Sequence, residues 1–240
     1  MNFTIIVFSF LAGILPALIW LIFLLREDAR CPEPRQLIAL TFLAGMVAVA
    51  LALPLEHFTC NYWGGCSSTG FDTHILLSWA VIEETLKYAV VAVVILWRQA
   101  VDESVDYVIY MITAALGFAA LENALFLIAP FQAGDYIGGF LTDNLRFVGS
   151  TLLHVVASSA IGFALAFSAT KNSAMRVAAA AGGLILAAAL HTLFNFLIIS
   201  EDGSTTLAAF FTVWTGVLVF FVLFEVLKYY RYRNLPNNVC

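Results

Sequence analysis

Long apolar stretches alternate with short polar connections along almost the whole chain. Seven of these stretches come close to or exceed the roughly 20 residues that a helix needs to cross the hydrocarbon core of a bilayer. They cover roughly residues 3–25, 37–55, 74–97, 107–129, 145–168, 177–199 and 207–227. We therefore expect an all-α polytopic membrane protein, a bundle of about seven transmembrane helices.

The composition agrees with a membrane protein. Hydrophobic residues make up 62% of the 240 residues and charged residues 11%, and the mean hydropathy is +0.94. A soluble domain of this size could not cover its surface with so few polar groups. The chain has no long acidic or basic run, which argues against a nucleic-acid partner. We expect residues 1–240 to form a single integral membrane domain surrounded by the lipid bilayer.

Lys and Arg residues are distributed unequally between the two sides of the expected bundle. One side has only Arg146, and Lys87 lies within a span. The other side has Arg26, Arg30, Arg35, Arg98, Lys171, Arg176, Lys228, Arg231 and Arg233. Cytoplasmic loops are enriched in Lys and Arg, so we expect an extracytoplasmic N-terminus and a cytoplasmic C-terminus in the plasma membrane. This orientation places Cys60 and Cys66 in one outward loop, either as a disulfide or as two free thiols.

Four of the expected spans carry polar side chains that are costly in lipid, roughly 2.5–3.5 kcal/mol for an ionisable group near a helix centre. They are Glu83, Glu84 and Lys87 in the third span, Glu122 and Asn123 in the fourth, His154 and Ser158 in the fifth, and His191 and Asn195 in the sixth. Spacings of three or four residues put the members of a group on one helical face. Each of these spans therefore presents a short polar stripe.

The polar stripes reach a common depth in the expected topology. Counted from the outer end of each span, Glu83, Glu122, His154 and His191 lie roughly 10–14 Å below the surface at a rise of 1.5 Å per residue. Four helices thus bring polar groups to one layer in the outer half of the bilayer. We expect them to converge in a water-accessible cavity.

Several kinds of chemistry fit such a layer. Glutamate and histidine bind catalytic zinc with one position left for water, and they also take protons from water without a metal. Asn195 or a protonated His191 can stabilise a developing oxyanion. Intramembrane Glu and His residues also serve as proton relays in transporters, and Glu–Lys or Glu–Asn groups also act as purely structural contacts. The residues alone leave hydrolysis, ion- or proton-coupled transport and a structural role open.

Four short motifs stand in order on successive spans: EExxK at 83–87, FxxxEN at 118–123, HxxxS at 154–158 and HxxxN at 191–195. This set resembles the PrsW family of intramembrane proteases, related to the CAAX prenyl endopeptidases and bacteriocin-processing enzymes. The resemblance covers roughly residues 74–199. The related enzymes have FxxxH where this chain has Glu122, and an Arg one position after Lys87. A prenylated substrate is therefore not expected.

The resemblance implies a bacterial endopeptidase that cuts a membrane-tethered protein on its extracytoplasmic side. Its expected partner is a single-span membrane protein such as an anti-sigma factor. The implied catalytic residues are Glu83, Glu84, Glu122, His154, His191 and Asn195. The implied orienting residues are Lys87, Asn123 and Ser158.

The resemblance also implies how these residues divide the work. One carboxylate of the Glu83–Glu84 pair would activate water, and the other would be oriented with Lys87. In the related prenyl proteases the first glutamate of the pair is the base, which corresponds to Glu83 here. His191 and Asn195 would stabilise the tetrahedral intermediate. The possible metal ligands, for an ion such as Zn²⁺, are Glu122, His154 and His191 with Glu83 or Glu84. A metal-free glutamate mechanism stays open beside the metal mechanism.

Overall fold

The structure, a computed structural model, describes residues 3–27, 32–65, 72–199 and 204–234, and the described residues contain helices and no strand. The helices are α1 (Phe3–Glu27), α2 (Arg35–Tyr62), α3 (Thr73–Val94), α4 (Ser104–Gln132), α5 (Tyr136–Ser168), α6 (Ser173–Ile199) and α7 (Ser204–Asn234). The predicted all-α class and the expected number of helices are confirmed.

Six of the seven helices are long and apolar enough to cross a membrane, namely all except α3. The 22 residues of α3 include three charged side chains, Glu83, Glu84 and Lys87, whereas the apolar stretches of the other six helices each contain at most two. The other six helices confirm a multi-pass membrane protein.

Some helices extend beyond the apolar stretches that predicted them. The second stretch was expected to end near residue 55, but α2 continues to Tyr62. The added turns carry polar side chains, among them His57 and Asn61, whose Nδ1 and Nδ2 atoms lie 3.1 Å apart. Hydrophobicity marks the part of a helix that lies in lipid, whereas backbone hydrogen bonds continue into the interface. The helix α2 is therefore longer than the apolar stretch that predicted it.

Helix α4 lies at the centre of the bundle. Buried residues make up 72% of its most apolar stretch, compared with 22% for α1. Two glycines let α2 and α4 approach closely: Gly45 lies against the carbonyl of Ala114, and Gly117 lies against the carbonyl of Phe42. A Cβ atom at either glycine would overlap with the facing backbone. Small residues at such crossings are typical of membrane helix packing, which depends on close van der Waals contact.

Polar contacts join the helices at one end of the bundle. The Tyr110 hydroxyl of α4 donates a hydrogen bond to Glu33 Oε2 just before α2, at 2.6 Å. Lys228 Nζ of α7 donates to Glu27 Oε2 of α1 at 3.2 Å. This end gathers the starts of α2 and α4 and the ends of α1 and α7, and it corresponds to the predicted basic side.

The opposite end joins the last turns of α2 to the first turns of α3. Trp79 Nε1 donates a hydrogen bond to the backbone carbonyl of Glu56 at 3.2 Å. Cys60 is buried at this end and is disulfide-bonded. The expected partner, Cys66, lies outside the described residues. A disulfide is typical of an oxidising compartment.

We expect Gly117→Leu to destabilise the bundle, because the added side chain must displace the α2 backbone at Phe42. Overpacking of this kind costs about 1–3 kcal/mol. Thermal unfolding of the purified protein in detergent measures the effect. Gly182→Leu on α6 is the matched control, because nothing lies within 4 Å of its added Cβ. Equal melting temperatures for the two variants would contradict the close α2–α4 crossing.

Candidate active site

Four helices bring four ionisable side chains to one place inside the bundle: Glu83 from α3, Glu122 from α4, His154 from α5 and His191 from α6. The two imidazole rings meet edge to face, with centroids 5.1 Å apart. Glu83 Oε2 lies 4.0 Å from His154 Nδ1 and 3.8 Å from His191 Nε2. His154 Nε2 lies 2.9 Å from Glu122 Oε2. The structure therefore brings together the groups that the sequence placed at a common depth.

The Lys87 side chain lies at the centre of this cluster and is completely buried. Its Nζ atom lies 2.8 Å from Glu84 Oε1, 3.3 Å from Glu83 Oε2 and 2.8 Å from His154 Nδ1. The ammonium also lies 4.1 Å from the centroid of the Phe118 ring. A buried ammonium is tolerated only when it is paired and hydrogen-bonded. Here carboxylates, an imidazole nitrogen and an aromatic face together satisfy it.

Glu84 is held on all sides by protein groups. Lys87 Nζ and His191 Nδ1 contact its Oε1 atom at 2.8 and 3.0 Å. The Ser158 hydroxyl donates a hydrogen bond to its Oε2 atom at 2.6 Å. Glu84 thereby links α3 to α5 and α6. Its oxygens are occupied by these contacts, and its side chain is fully buried.

The two histidines share a common arrangement. Each has one ring nitrogen against a carboxylate, Nε2 of His154 against Glu122 and Nδ1 of His191 against Glu84. The remaining nitrogen of each ring lies near Glu83 Oε2, at 4.0 Å for His154 and 3.8 Å for His191, and that of His154 also lies 2.8 Å from Lys87 Nζ. Metal-binding histidines commonly donate their outer N–H to a carboxylate, which orients the ring and makes the inner nitrogen a stronger ligand.

Glu83, His154 and His191 fit a divalent metal ion. Each offers one donor atom, and the three atoms lie within 4.8 Å of one another in a buried setting. Two imidazoles and one carboxylate form a common donor set for catalytic zinc, with a fourth position left for water. The Lys87 ammonium, 2.8 Å from His154 Nδ1, already places a positive charge against one of these donors. A metal ion bound to His154 Nδ1 would take the place of Lys87 at that nitrogen.

A cavity of about 410 Å³ opens beside the cluster. Its polar side chains are Glu56, Ser150 and Asn195 together with Glu83, Glu122, His154 and His191. Glu84 and Lys87 are not part of its lining. The two adjacent glutamates therefore differ in position: Glu83 borders the cavity, and Glu84 lies behind it.

The three remaining predicted polar residues occupy different positions. Asn195 lines the cavity one residue beyond Phe194. Asn123 faces α5, where its Nδ2 atom donates a hydrogen bond to Thr151 Oγ1 at 3.1 Å. Ser158 holds Glu84, as described above. Asn195 therefore borders the cavity, whereas Asn123 and Ser158 contact neighbouring side chains and are not among its lining residues.

Of the seven polar side chains named above for the cavity, Glu56 and Ser150 were not among the predicted site residues. Glu56, from the last turns of α2, is half-buried and lines the cavity. Ser150 Oγ of α5 donates a weak hydrogen bond to Glu122 Oε2 at 3.5 Å. Glu56 was missed because it ends the second apolar stretch and was assigned to a loop. Its position at the outer end of that stretch, near the expected polar layer, was the available signal.

Comparison with known proteins identifies relatives along most of the chain. The sequence profile described as "PrsW family intramembrane metalloprotease" matches residues 33–227. Protease PrsW of Bacillus subtilis is 25% identical over 189 residues, which cover 78% of this chain and 81% of that protein.

Two further relatives carry the same name. Protease PrsW of Clostridioides difficile is 25% identical over 197 residues, covering 80% of this chain and 79% of that protein. Protease PrsW of Oceanobacillus iheyensis is 26% identical over 231 residues, covering 95% of both chains. No solved structure matches the chain significantly.

We expect Lys87→Met to destabilise the protein strongly, because it leaves the Glu83 and Glu84 carboxylates buried without their cation. Breaking a buried ion pair by removing one partner costs about 3–5 kcal/mol. Lys228→Met is the matched control. Lys228 is itself 11% exposed, but its partners Glu225 and Glu27 are 63% and 36% exposed, so water can solvate both carboxylates after its loss and the cost should be smaller. Thermal unfolding in detergent distinguishes the two variants, and similar losses would refute the central role of Lys87.

Proposed function

The chain belongs to the PrsW family of intramembrane metalloproteases, and from this premise we propose that it hydrolyses a peptide bond of a single-span membrane protein near the extracytoplasmic side. That it is an intramembrane protease of a bacterial membrane follows from the family itself. The observation that carries the finer proposal is the cavity of about 410 Å³, where Glu83, Glu122, His154 and His191 border one space inside an apolar bundle. Proton-coupled transport, which the polar layer alone left open, receives no support from these relatives.

We assign the metal to Glu83, His154 and His191. The facing donor atoms and the outer carboxylates on both rings support this assignment. A divalent ion held there would supply Lewis-acid chemistry, activating water and polarising the scissile carbonyl. Glu122 and Glu84, both considered as ligands from the sequence, then orient His154 and His191 respectively.

Glu122 is the best placed group to carry the proton. Its side chain is 24% exposed to the cavity, whereas those of Glu83 and Glu84 are 6% and 0% exposed. His154 and Ser150 both contact its Oε2 atom, and we assign its other oxygen, Oε1, to the attacking water. Glu122 would accept a proton from the attacking water and return it to the leaving amine.

Asn195 is placed to stabilise the oxyanion. It lines the same cavity and projects from α6, one turn beyond His191. Its side-chain amide can donate a hydrogen bond to the oxygen on which negative charge develops. Lys87, Glu84 and Ser158 would keep Glu83 and the two rings in place without touching the substrate.

Two observations support the extracytoplasmic side. The cavity is bordered by Glu56, which lies one turn before the disulfide-bonded Cys60, and disulfides persist in oxidising compartments. Arg176 and Lys228 lie at the other end of the bundle, as expected for the cytoplasmic side. An anti-sigma factor cut outside the membrane is the substrate that the resemblance implies, and its single span suits a cavity at this depth.

Glu83→Gln and Glu122→Gln should each abolish cleavage of a single-span anti-sigma factor co-expressed in a bacterial host and followed by epitope tags at both ends. Loss of the proton carrier alone lowers the rate by about 10²–10⁴-fold. Glu225→Gln, a carboxylate outside the cavity with a 63% exposed side chain, should cleave normally. Full activity in a Glu83→Gln/Glu84→Gln double variant would overturn the mechanism.

Metal analysis of the purified variants tests the division of roles. Glu83→Gln and His191→Ala should lose bound metal, because each removes a proposed ligand. Glu122→Gln should keep it at saturating metal, since loss of an outer partner weakens affinity by only about 10–100-fold. Chelator treatment should stop cleavage by the unmodified protein, and re-addition of zinc should restore it. Full activity of the metal-free protein would establish the glutamate-only mechanism instead.

A further inference from the structure

A second, larger cavity of about 760 Å³ lies between α5, α6 and α7. We call it the α6–α7 groove. It opens sideways from the bundle, because lining residues such as Leu186 of α6 and Val219 of α7 are 52% exposed. In a bilayer this opening faces the hydrocarbon core.

The groove is apolar along its walls. The polar side chains that line it are Ser159, Thr212 and Thr215. Each of their hydroxyls donates a hydrogen bond to a carbonyl of its own helix, at 2.8 Å in all three cases. No donor is left over for a polar ligand, so the groove suits an apolar occupant.

The length of the groove is close to that of a membrane-spanning helix. On α6 its lining runs from Ala179 to Phe194, about 22 Å at 1.5 Å per residue. On α7 it runs from Phe211 to Leu223, about 18 Å by the same measure. The hydrocarbon core of a bilayer is about 30 Å thick. An occupant of the whole groove would therefore be embedded through most of the membrane.

The groove can accept a helix at close range. Ala160 and Ala164 of α5 and Gly182 of α6 are among its lining residues. A Cβ added at Gly182 would meet nothing within 4 Å, so the surface there is open. Small side chains let two helix backbones approach, which is how membrane helices gain contact energy.

One end of the groove meets the catalytic cavity. Leu153 of α5 and Phe194 of α6 line both spaces. Phe194 directly precedes Asn195, the residue assigned to the oxyanion. A chain leaving this end of the groove would pass Phe194 and enter the cavity beside His191 and Glu83.

We propose that the α6–α7 groove binds the transmembrane helix of the substrate and delivers the peptide just outside that helix to the catalytic cavity. This proposal rests on the proposed function. A lipid acyl chain would also fit an apolar wall. Lipid binding alone, however, does not require the groove to be continuous with the cavity that contains Asn195. The groove is continuous with the catalytic cavity at one end, and its length is close to that of a membrane-spanning helix. Both features favour a spanning helix over lipid as the occupant.

Gly182→Phe should plug the groove while leaving the fold intact, because its side chain points into open space. The matched control is Ile185→Phe, since Ile185 is 72% exposed on the same helix and does not line the groove. Two probes carry the same cleavage sequence: a tagged anti-sigma factor with its membrane span, and a soluble peptide without it.

Gly182→Phe should lower cleavage of the spanning probe by about 10- to 100-fold, since a shift of about 1 Å at the reacting bond costs about 10²-fold. Cleavage of the soluble peptide should be unchanged in both variants, and Ile185→Phe should cleave both probes normally. Equal rates for Gly182→Phe and Ile185→Phe on the spanning probe would overturn the proposal.

Photo-crosslinking provides a second measurement that does not require cleavage. A benzophenone amino acid at position 182, in the Glu83→Gln background, should crosslink to the span of the anti-sigma factor, and the same group at position 185 should not. Crosslinks to lipid alone would show that acyl chains occupy the groove and would refute the proposal. If crosslinking succeeds and the unmodified protein cleaves neither probe, the proposed function fails while the groove assignment stands.

Discussion

The buried Lys87 ammonium is the interaction on which the rest of the site depends. Two adjacent carboxylates and two imidazoles could not share an apolar interior without a positive charge among them. Lys87 contacts Glu83, Glu84 and His154 directly. Glu84 in turn contacts His191 and Ser158. A single cation thus fixes side chains from three helices. Ser158 and His191 add further contacts to Glu84, so the cluster is joined by several hydrogen bonds as well as by this one cation.

Such a cluster also constrains the packing around it. Hydrogen bonds of about 3 Å between four helices require the helix axes to keep their register within a fraction of a turn. The glycine contacts between α2 and α4 help to maintain this register, since Gly45 and Gly117 let the backbones touch. The central helix α4, held by these glycine contacts, then presents Glu122 to His154 at a fixed position along the bundle. Packing by small residues and pairing of charges therefore support each other.

The sequence was sufficient for the helices and for the four helices that contribute to the polar cluster, because both depend on patterns within single helices. Apolar length predicts a span, and residue counting from its outer end predicts depth. The sequence was not sufficient to predict the contacts between helices. Neighbouring Glu83 and Glu84 look equivalent in the chain, and only packing against α5 and α6 turns one toward the cavity and the other behind it. Glu56 was missed for a related reason, since its helix continues past the apolar stretch.

Intramembrane proteolysis sets two opposing physical requirements. Hydrolysis needs water and charged groups, whereas recognition of a membrane span needs an apolar surface at the same depth. This bundle separates them into adjacent spaces: a cavity bordered by Glu83, Glu122 and the two histidines, and a groove whose hydroxyls are all satisfied within their own helices. Phe194 and Leu153 form the wall between the two spaces. Since both side chains of this wall are apolar, the change from apolar to polar surroundings occurs across them, at the end of the groove that we propose to hold the substrate helix.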